Sequence, residues 1–155
     1  MRKAIWKLSA CIAIVLLSFA VSSCGDDDEE IGSGADLIGM WEITHVKGSG
    51  ISEGEKVNED ADMNNMRFEF KEDGTFNWYE KSGSSWYVDE QLQYEYKSGG
   101  QLFLRESDGT PFEDDFEKYS MKVVKLTEST LVIEEYFKED SDNEIRANYT
   151  FKRIS

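Results

Sequence analysis

The side chains of this 155-residue sequence that could perform chemistry are one histidine, two cysteines and many carboxylates. Any Ser-His-Asp or Cys-His mechanism would have to use His45, the only histidine. It follows Thr44 in the middle of a predicted strand, and no nucleophile motif lies near it. We therefore interpret His45 as a structural or surface residue and the protein as non-enzymatic. A zinc site needs several His or Cys ligands, and the sequence has no such set, so neither a metal nor a cofactor is predicted.

Acidic residues are dense in two stretches, and neither has the pattern of a defined site. One is Glu113-Asp114-Asp115, and the other is Asp140-Ser141-Asp142-Asn143-Glu144. The second opens like a calcium-binding loop, but its sixth position is not glycine and its twelfth is not glutamate. Because a hairpin turn is expected at that point, we interpret the stretch as a solvated turn.

The charge balance argues against nucleic acid as a partner. The chain has 17 Lys and Arg against 32 Asp and Glu. Without residues 1–23, which hold three of the basic residues, the formal net charge is 14 − 32 = −18. Phosphate backbones bind basic surfaces, so this chain is expected to repel them. An acidic exterior favours cationic partners and also provides solubility.

The first 24 residues have the organisation of an export signal. Arg2, Lys3 and Lys7 are followed by residues 8–21, a 14-residue run without charge that is too short to span a bilayer. The run ends in Val21-Ser22-Ser23-Cys24, which resembles a bacterial lipobox. The resemblance implies a signal peptide over residues 1–23 and a Cys24 that carries diacylglycerol and acyl chains such as palmitate. The alternative is an ordinary signal peptide with a chance cysteine.

Residues 24–35 are predicted to form a lipidated, acidic and flexible tether. Five consecutive acids follow Gly25, and Gly32, Ser33 and Gly34 add a flexible composition. An acidic run directly after the cysteine also resembles the export tag of surface-exposed lipoproteins in one group of Gram-negative bacteria. That resemblance implies an outer-membrane lipoprotein at the cell surface, whereas the alternative is a plain solvated spacer.

From residue 36 to residue 155 the dominant period of hydrophobicity is two, which indicates one all-β domain. We count about nine strands, which predicts an antiparallel up-and-down barrel of eight to nine strands, because closure removes exposed edges. A β-sandwich is the alternative. Residues 48–60 are weakly patterned, and residues 61–65 are predicted to form a helical turn. Bulges are predicted at Val123-Val124 and Glu134-Glu135, with a slipped register as the alternative. The clearest predicted strands are residues 40–47, 66–71, 75–80, 101–106, 119–126, 131–138 and 145–154.

The segment Leu37-Ile38-Gly39-Met40-Trp41 resembles the Gly-x-Trp signature of lipocalins. Residues 125–133 are also similar to a hairpin of small bacterial lipocalin-like domains on secreted lipoproteins. The resemblance implies that Trp41 closes the barrel floor and that Arg153 stacks over it. The sequence departs from full lipocalins because it has no Thr-Asp-Tyr motif, no room for a long C-terminal helix and no disulfide.

Aromatic residues dominate the positions predicted to face inward. They fill the barrel in one interpretation, and in the other the upper ones line a ligand cup, with tyrosines near the mouth. The predicted lining residues are Trp78, Trp86, Tyr94 and Tyr96. We therefore expect a lipid-anchored envelope protein that binds a small apolar or amphipathic ligand. The alternative is a filled barrel that binds another envelope protein.

Overall fold

The computed structural model describes residues 31–112 and 116–155. The predicted signal peptide, Cys24 and the acidic run to Glu30 lie outside the described residues, as does Glu113-Asp114-Asp115. Within the described part of the chain, no helix is long and apolar enough to cross a membrane. The elements are α1 (Gly34–Leu37), β1 (Gly39–Ser52), β2 (Glu55–Asp62), β3 (Met66–Phe70), β4 (Thr75–Ser82), β5 (Ser85–Lys97), β6 (Gln101–Arg105), β7 (Lys118–Leu126), β8 (Thr130–Lys138) and β9 (Glu144–Arg153).

The strands form an antiparallel barrel that closes by pairing of β1 with β9. The other edge of β1 pairs with β3 near its start and with β2 from His45 onward. The barrel therefore has eight strands, and β2 is an additional strand beside β1. The predicted all-β up-and-down barrel is confirmed, and the β1–β9 pairing excludes the sandwich.

The weakly patterned stretch at residues 48–60 is not a loop, because it forms the end of β1 and most of β2. The glycines there have no side chain, so the sequence shows no alternation of apolar and polar residues. A Cβ atom on Gly48 would lie 2.8 Å from the Cβ of Ala147, and one on Gly50 would lie 2.1 Å from the carbonyl oxygen of Glu144. The close approach of β1 and β9 therefore requires glycine. The predicted helical turn at residues 61–65 is also wrong, because Ala61 and Asp62 continue β2.

One of the two predicted bulges is present. The register of β7 against β8 shifts between Val123 and Lys125, which confirms the first. The second is wrong, because β8 keeps its register with both β7 and β9 through Glu134 and Glu135. Glu135 consequently points into the barrel with Leu131, Ile133 and Phe137.

Aromatic rings fill the lower part of the barrel. The ring of Phe68 lies 5.0 Å from Phe76, 5.4 Å from Trp78 and 4.7 Å from Phe151, measured between centroids. We call the end that holds Trp41 and Arg153 the floor. The mouth is the opposite end, which holds the β1–β2, β4–β5 and β8–β9 turns. Residues 31–38 cover the floor: Ile31 bridges to Leu126, and Leu37 is fully buried.

Candidate functional site

The floor is closed by Trp41 and Arg153. The indole Nε1 of Trp41 donates to the carbonyl oxygen of Leu37 at 2.9 Å, and the Arg153 guanidinium lies 4.1 Å from the Trp41 ring centroid. Arg153 also donates to the carbonyl oxygens of Glu128 and Ile38, each at 2.7 Å, and to that of Asp36. These contacts tie the start of β1 to the end of β9, so the floor is a structural element.

Tyr94 and Tyr96 face inward at the floor, not near the mouth where tyrosines were expected. The hydroxyl of Tyr94 donates to the carbonyl oxygen of Lys71 at 2.9 Å, and that of Tyr96 donates to the carbonyl oxygen of Gly32 at 3.0 Å. Burial raises the pKa of both hydroxyls. Backbone acceptors, not water, therefore satisfy these two groups. The contact to Gly32 also places part of the predicted tether against the barrel.

Trp86 lies on the outer surface, so the prediction that it faces inward is wrong. The register of β4 against β5 shifts between Trp78 and Tyr79. Between this point and the β4–β5 turn, the side chains of β5 that were predicted to face inward therefore face outward. Trp86 then stacks on the outward-facing Arg67, whose guanidinium carbon lies 3.9 Å from the ring centroid.

Trp78 faces the interior and is only 3% exposed. Its indole Nε1 has no hydrogen-bond acceptor among the described residues. A buried donor without a partner costs about 1–3 kcal/mol, so an acceptor on a bound molecule would stabilise the barrel here. Of the four predicted lining residues, Trp78 is the one that the structure places in the interior with an unused polar atom.

The wall of the barrel opens between β6 and β7. In the described residues these strands pair at only two positions, Gln101 with Lys122 and Leu102 with Met121. Above them the following loop meets β6, where the backbone N–H of Phe112 donates to the carbonyl oxygen of Leu104. The result is a cleft of about 240 Å³. Its lining comprises Gln101, Leu102, Phe103, Leu104, Pro111, Phe116, Glu117, Lys118, Tyr119, Ser120 and Met121.

A buried carboxyl group lies directly behind this cleft. Glu135 is 3% exposed, and its Oε1 accepts a hydrogen bond from the hydroxyl of the cleft residue Tyr119 at 3.0 Å. The Tyr149 hydroxyl also hydrogen-bonds to Glu135. Burial raises the pKa of this carboxyl, and the two hydroxyl groups oppose part of that effect. The cleft therefore leads to an ionisable group in an apolar interior.

The pKa of a glutamate on the outer surface shifts in the opposite direction. Glu42 is partly buried, which alone would raise its pKa. Arg67 donates two hydrogen bonds to Glu42, at 2.8 and 2.6 Å, and the Lys152 ammonium lies at 3.1 Å. These cations outweigh burial and hold the pKa of Glu42 below its usual value. The partners of Glu135, by contrast, are two neutral hydroxyl groups.

Residues 37–133 match the family model of the lipocalin-like domain. This chain belongs to that family. No curated protein matches the lipocalin-like chain significantly. A solved structure of bovine odorant-binding protein with undecanal is 15% identical, covers 83% of this chain and 78% of its own, and gives a TM-score of 0.45. The complex of the same bovine protein with a selenium-containing odorant is also 15% identical, over 84% of this chain and 78% of its own, with a TM-score of 0.45.

Two other candidate groups of the lipocalin-like chain, His45 and the acidic hairpin at residues 140–144, lie in the described residues outside the barrel interior. His45 contacts two carboxylates of β2: its Nε2 lies 3.0 Å from Asp60 and its Nδ1 lies 2.9 Å from Asp62. The acidic hairpin forms a turn in which Asp140 accepts a hydrogen bond from the backbone N–H of Asp142 at 2.8 Å. Within residues 31–112 and 116–155, no group of three or more His, Cys, Asp or Glu side chains could hold a metal ion.

Glu135 is the residue that sequence reasoning missed. A signal was present, because strict alternation from Leu131 through Ile133 places Glu135 on the buried face. We interpreted the Glu134-Glu135 pair as a bulge because two like residues in sequence interrupt the alternation. The uninterrupted pairing of β8 with both neighbours contradicts that interpretation.

Proposed function

We propose that this lipocalin-like protein is a non-catalytic binder that takes a small apolar or amphipathic molecule through the β6–β7 cleft. The single observation that carries the proposal is the cleft itself, whose lining includes the inward-facing and largely buried Leu102, Leu104 and Met121. Burial of apolar ligand surface there supplies the binding free energy. Trp78 does not line the cleft, but its unused N–H is a second interior group that an acceptor on a bound molecule would satisfy.

The size of the cleft limits the ligand. Pockets for drug-sized molecules measure roughly 300–1,000 Å³. At about 240 Å³ the cleft is smaller, and aromatic rings fill the interior below it. We therefore propose a slender ligand, such as a single alkyl chain or one small ring.

Mass spectrometry tests the ligand directly. A chain that begins at Gly25 contains every described residue, and its mass is recorded under native and denaturing conditions after expression. A retained ligand appears as extra native mass that disappears on denaturation. Leu104→Phe narrows the cleft and should reduce that mass, whereas Val88→Phe, an equally bulky change on the outer face of β5 away from the cleft, should leave it unchanged. If neither the purified chain nor the chain incubated with apolar probes gains mass, the ligand proposal is wrong.

We further propose that Cys24 anchors the protein to the outer membrane of a bacterium, with the domain exposed at the cell surface. The lipobox-like residues and the acidic run that follows them support this location. Labelled palmitate should enter the wild-type chain but not a Cys24→Ala variant. Protease added to intact cells should degrade the domain. Survival in intact cells with loss after permeabilisation would place the domain on the inner side.

The second candidate function is a filled barrel that binds another envelope protein. Two observations favour it: the aromatic packing below the cleft, and the exposed apolar residues Tyr87 (42%), Val88 (47%) and Phe103 (39%). Photo-crosslinkers at Val88 and Phe103 test it in cells. One discrete crosslinked partner, together with a bare native mass, would favour this function over ligand binding.

A further inference from the structure

The partners of Glu135 leave its charge without a counter-ion. A buried carboxylate usually has a cation beside it, because an isolated charge is costly in an apolar interior. In the described part of the chain, Glu135 bonds to the hydroxyl groups of Tyr119 and Tyr149, and neither carries a positive charge. Glu42 on the outer surface, by comparison, has two cations. The interior carboxyl therefore lacks the partner that would stabilise its ionised form.

Small residues lie next to this carboxyl along the barrel wall. Successive strand pairings place Met121, Glu135, Ala147, Gly48 and Glu59 side by side across five strands. Paired residues share a face of the sheet, so all five positions point inward. Ala147 and Gly48 project little into the barrel beside Glu135. Burial raises the pKa of Glu59 at the far end of the row, so both carboxyl groups experience desolvation.

Tyr119 links the cleft to this region. Tyr119 lines the cleft and donates directly to Glu135, and Met121 lines the cleft beside it. A polar group that enters the cleft and displaces the Tyr119 hydroxyl therefore reaches the carboxyl, while its apolar portion stays against Leu102 and Leu104. Aromatic faces such as that of Tyr119 also attract cations.

We propose that the ligand is an amphipathic amine whose ammonium group pairs with Glu135 and whose apolar part lies in the β6–β7 cleft. This inference rests on the proposed ligand-binding function and specifies its chemistry. An ammonium supplies the positive charge that the site lacks. A carboxylate ligand would be repelled by Glu135 and by the net charge of −15, and the same charge attracts cationic ligands from solution.

Three probes with the same alkyl chain test the inference: decylamine, 1-decanol and decanoate. Each is titrated below its micelle concentration into the chain that begins at Gly25, with calorimetric detection. Decylamine should bind at least about tenfold more tightly than decanol, because a charge-assisted hydrogen bond in a buried site contributes more than about 1.4 kcal/mol. Decanoate should bind most weakly. Equal affinities would overturn the amine proposal and leave the ligand-binding function intact, whereas binding of none would overturn both.

Two matched variants test whether Glu135 causes the preference for decylamine over decanol. Glu135→Gln keeps the shape of the side chain and removes its charge, so the advantage of decylamine over decanol should disappear while decanol still binds. Glu134→Gln is the control: it removes one charge at the adjacent position, which faces outward and pairs with Arg146. If both variants lower decylamine affinity equally, the effect is one of net charge and the assignment to Glu135 is wrong.

The pH dependence of decylamine affinity tests the inference in the wild-type protein. Tyr119 from β7, Tyr149 from β9 and Glu59 from β2 are the titratable groups along the interior wall around Glu135. Raising the pH ionises Glu135, whereas an alkyl ammonium stays charged to about pH 10. Decylamine affinity should therefore rise with pH between about 5 and 8, and decanol affinity should not. A flat decylamine profile, or a parallel rise for decanol, would contradict the inference.

Discussion

The floor of the barrel and the interior above it bury similar side chains, but they differ in whether the buried polar atoms have hydrogen-bond partners. At the floor, the indole N–H of Trp41, the guanidinium of Arg153 and the hydroxyl of Tyr96 all donate to backbone carbonyls. Above it, the indole N–H of Trp78 has no acceptor among the described residues, and Glu135 has only neutral partners. Satisfied polar groups hold a structure together, whereas unused ones favour a ligand that completes them. The comparison assigns stability to the floor and binding to the interior above it.

The largest expected effect is that of Trp41→Ala. The side chain is fully buried and lies beneath Arg153, so its removal leaves a cavity and an unsupported guanidinium. The free energy of unfolding in urea should fall by about 3–5 kcal/mol. Trp86→Ala on the outer surface should lower it by about 1 kcal/mol, since it loses mainly a cation–π contact. Equal losses of unfolding free energy in the two variants would show that the floor contributes no more to stability than the outer surface does.

Arg153→Lys should have the next largest effect. Lysine keeps the charge, but its compact ammonium group cannot span the carbonyl oxygens of Asp36, Ile38 and Glu128 as the planar guanidinium does. We expect a loss of about 2 kcal/mol in the free energy of unfolding. Arg146→Lys, in an exposed pair with Glu134, should change it by less than about 0.5 kcal/mol. A loss no greater than that of the control would show that the backbone contacts contribute little.

Glu135→Gln should stabilise the protein, and increasingly so as the pH rises. Because folding raises the pKa of Glu135, its contribution is fully present below the unfolded pKa and is lost as pH rises through the folded value. Glutamine has no such loss. The stability of the variant relative to wild type should therefore increase as the pH rises above the ordinary pKa of glutamate, about 4.3. Urea unfolding at several pH values measures this, with Glu134→Gln as the control, and a pH-independent difference would contradict it.

The last comparison makes the same substitution at Trp41 and at Trp78, the two buried tryptophans in the described part of the chain. Trp41→Phe loses the hydrogen bond to Leu37 and should cost about 2 kcal/mol, from the bond and the smaller ring together. Trp78→Phe also shrinks the ring but removes an N–H without an acceptor, so the stability should stay within about 1 kcal/mol of wild type. Thermal unfolding without added ligand measures both. A loss for Trp78→Phe as large as that for Trp41→Phe would mean that the Trp78 N–H is satisfied in solution.

The accuracy of sequence reasoning depended on how regular each strand is. In β3 the alternation runs unbroken, and the buried residues Met66, Phe68 and Phe70 follow from it. In β5 the phase of Trp86 was wrong, because the bulge between Trp78 and Tyr79 leaves no mark in local composition. The β1–β2 hairpin was missed because Gly48 and Gly50 carry no hydrophobic signal. Glu135 was missed because the two adjacent glutamates were interpreted as a break in the alternation, whereas the pairing of β8 is continuous through them.

The sequence by itself determined the all-β class, the acidic charge and the family, because period-two hydrophobicity and the Gly-x-Trp segment are local properties. It also contains the lipobox-like residues on which the anchoring proposal depends. Only the tertiary structure decided that Glu135 faces inward, that Trp86 faces outward and that β6 and β7 separate into a cleft. Strand register and closure are set by contacts between residues far apart in the chain. One shifted residue reverses the face of every side chain beyond it, so the candidate site depended on pairings that no single segment specifies.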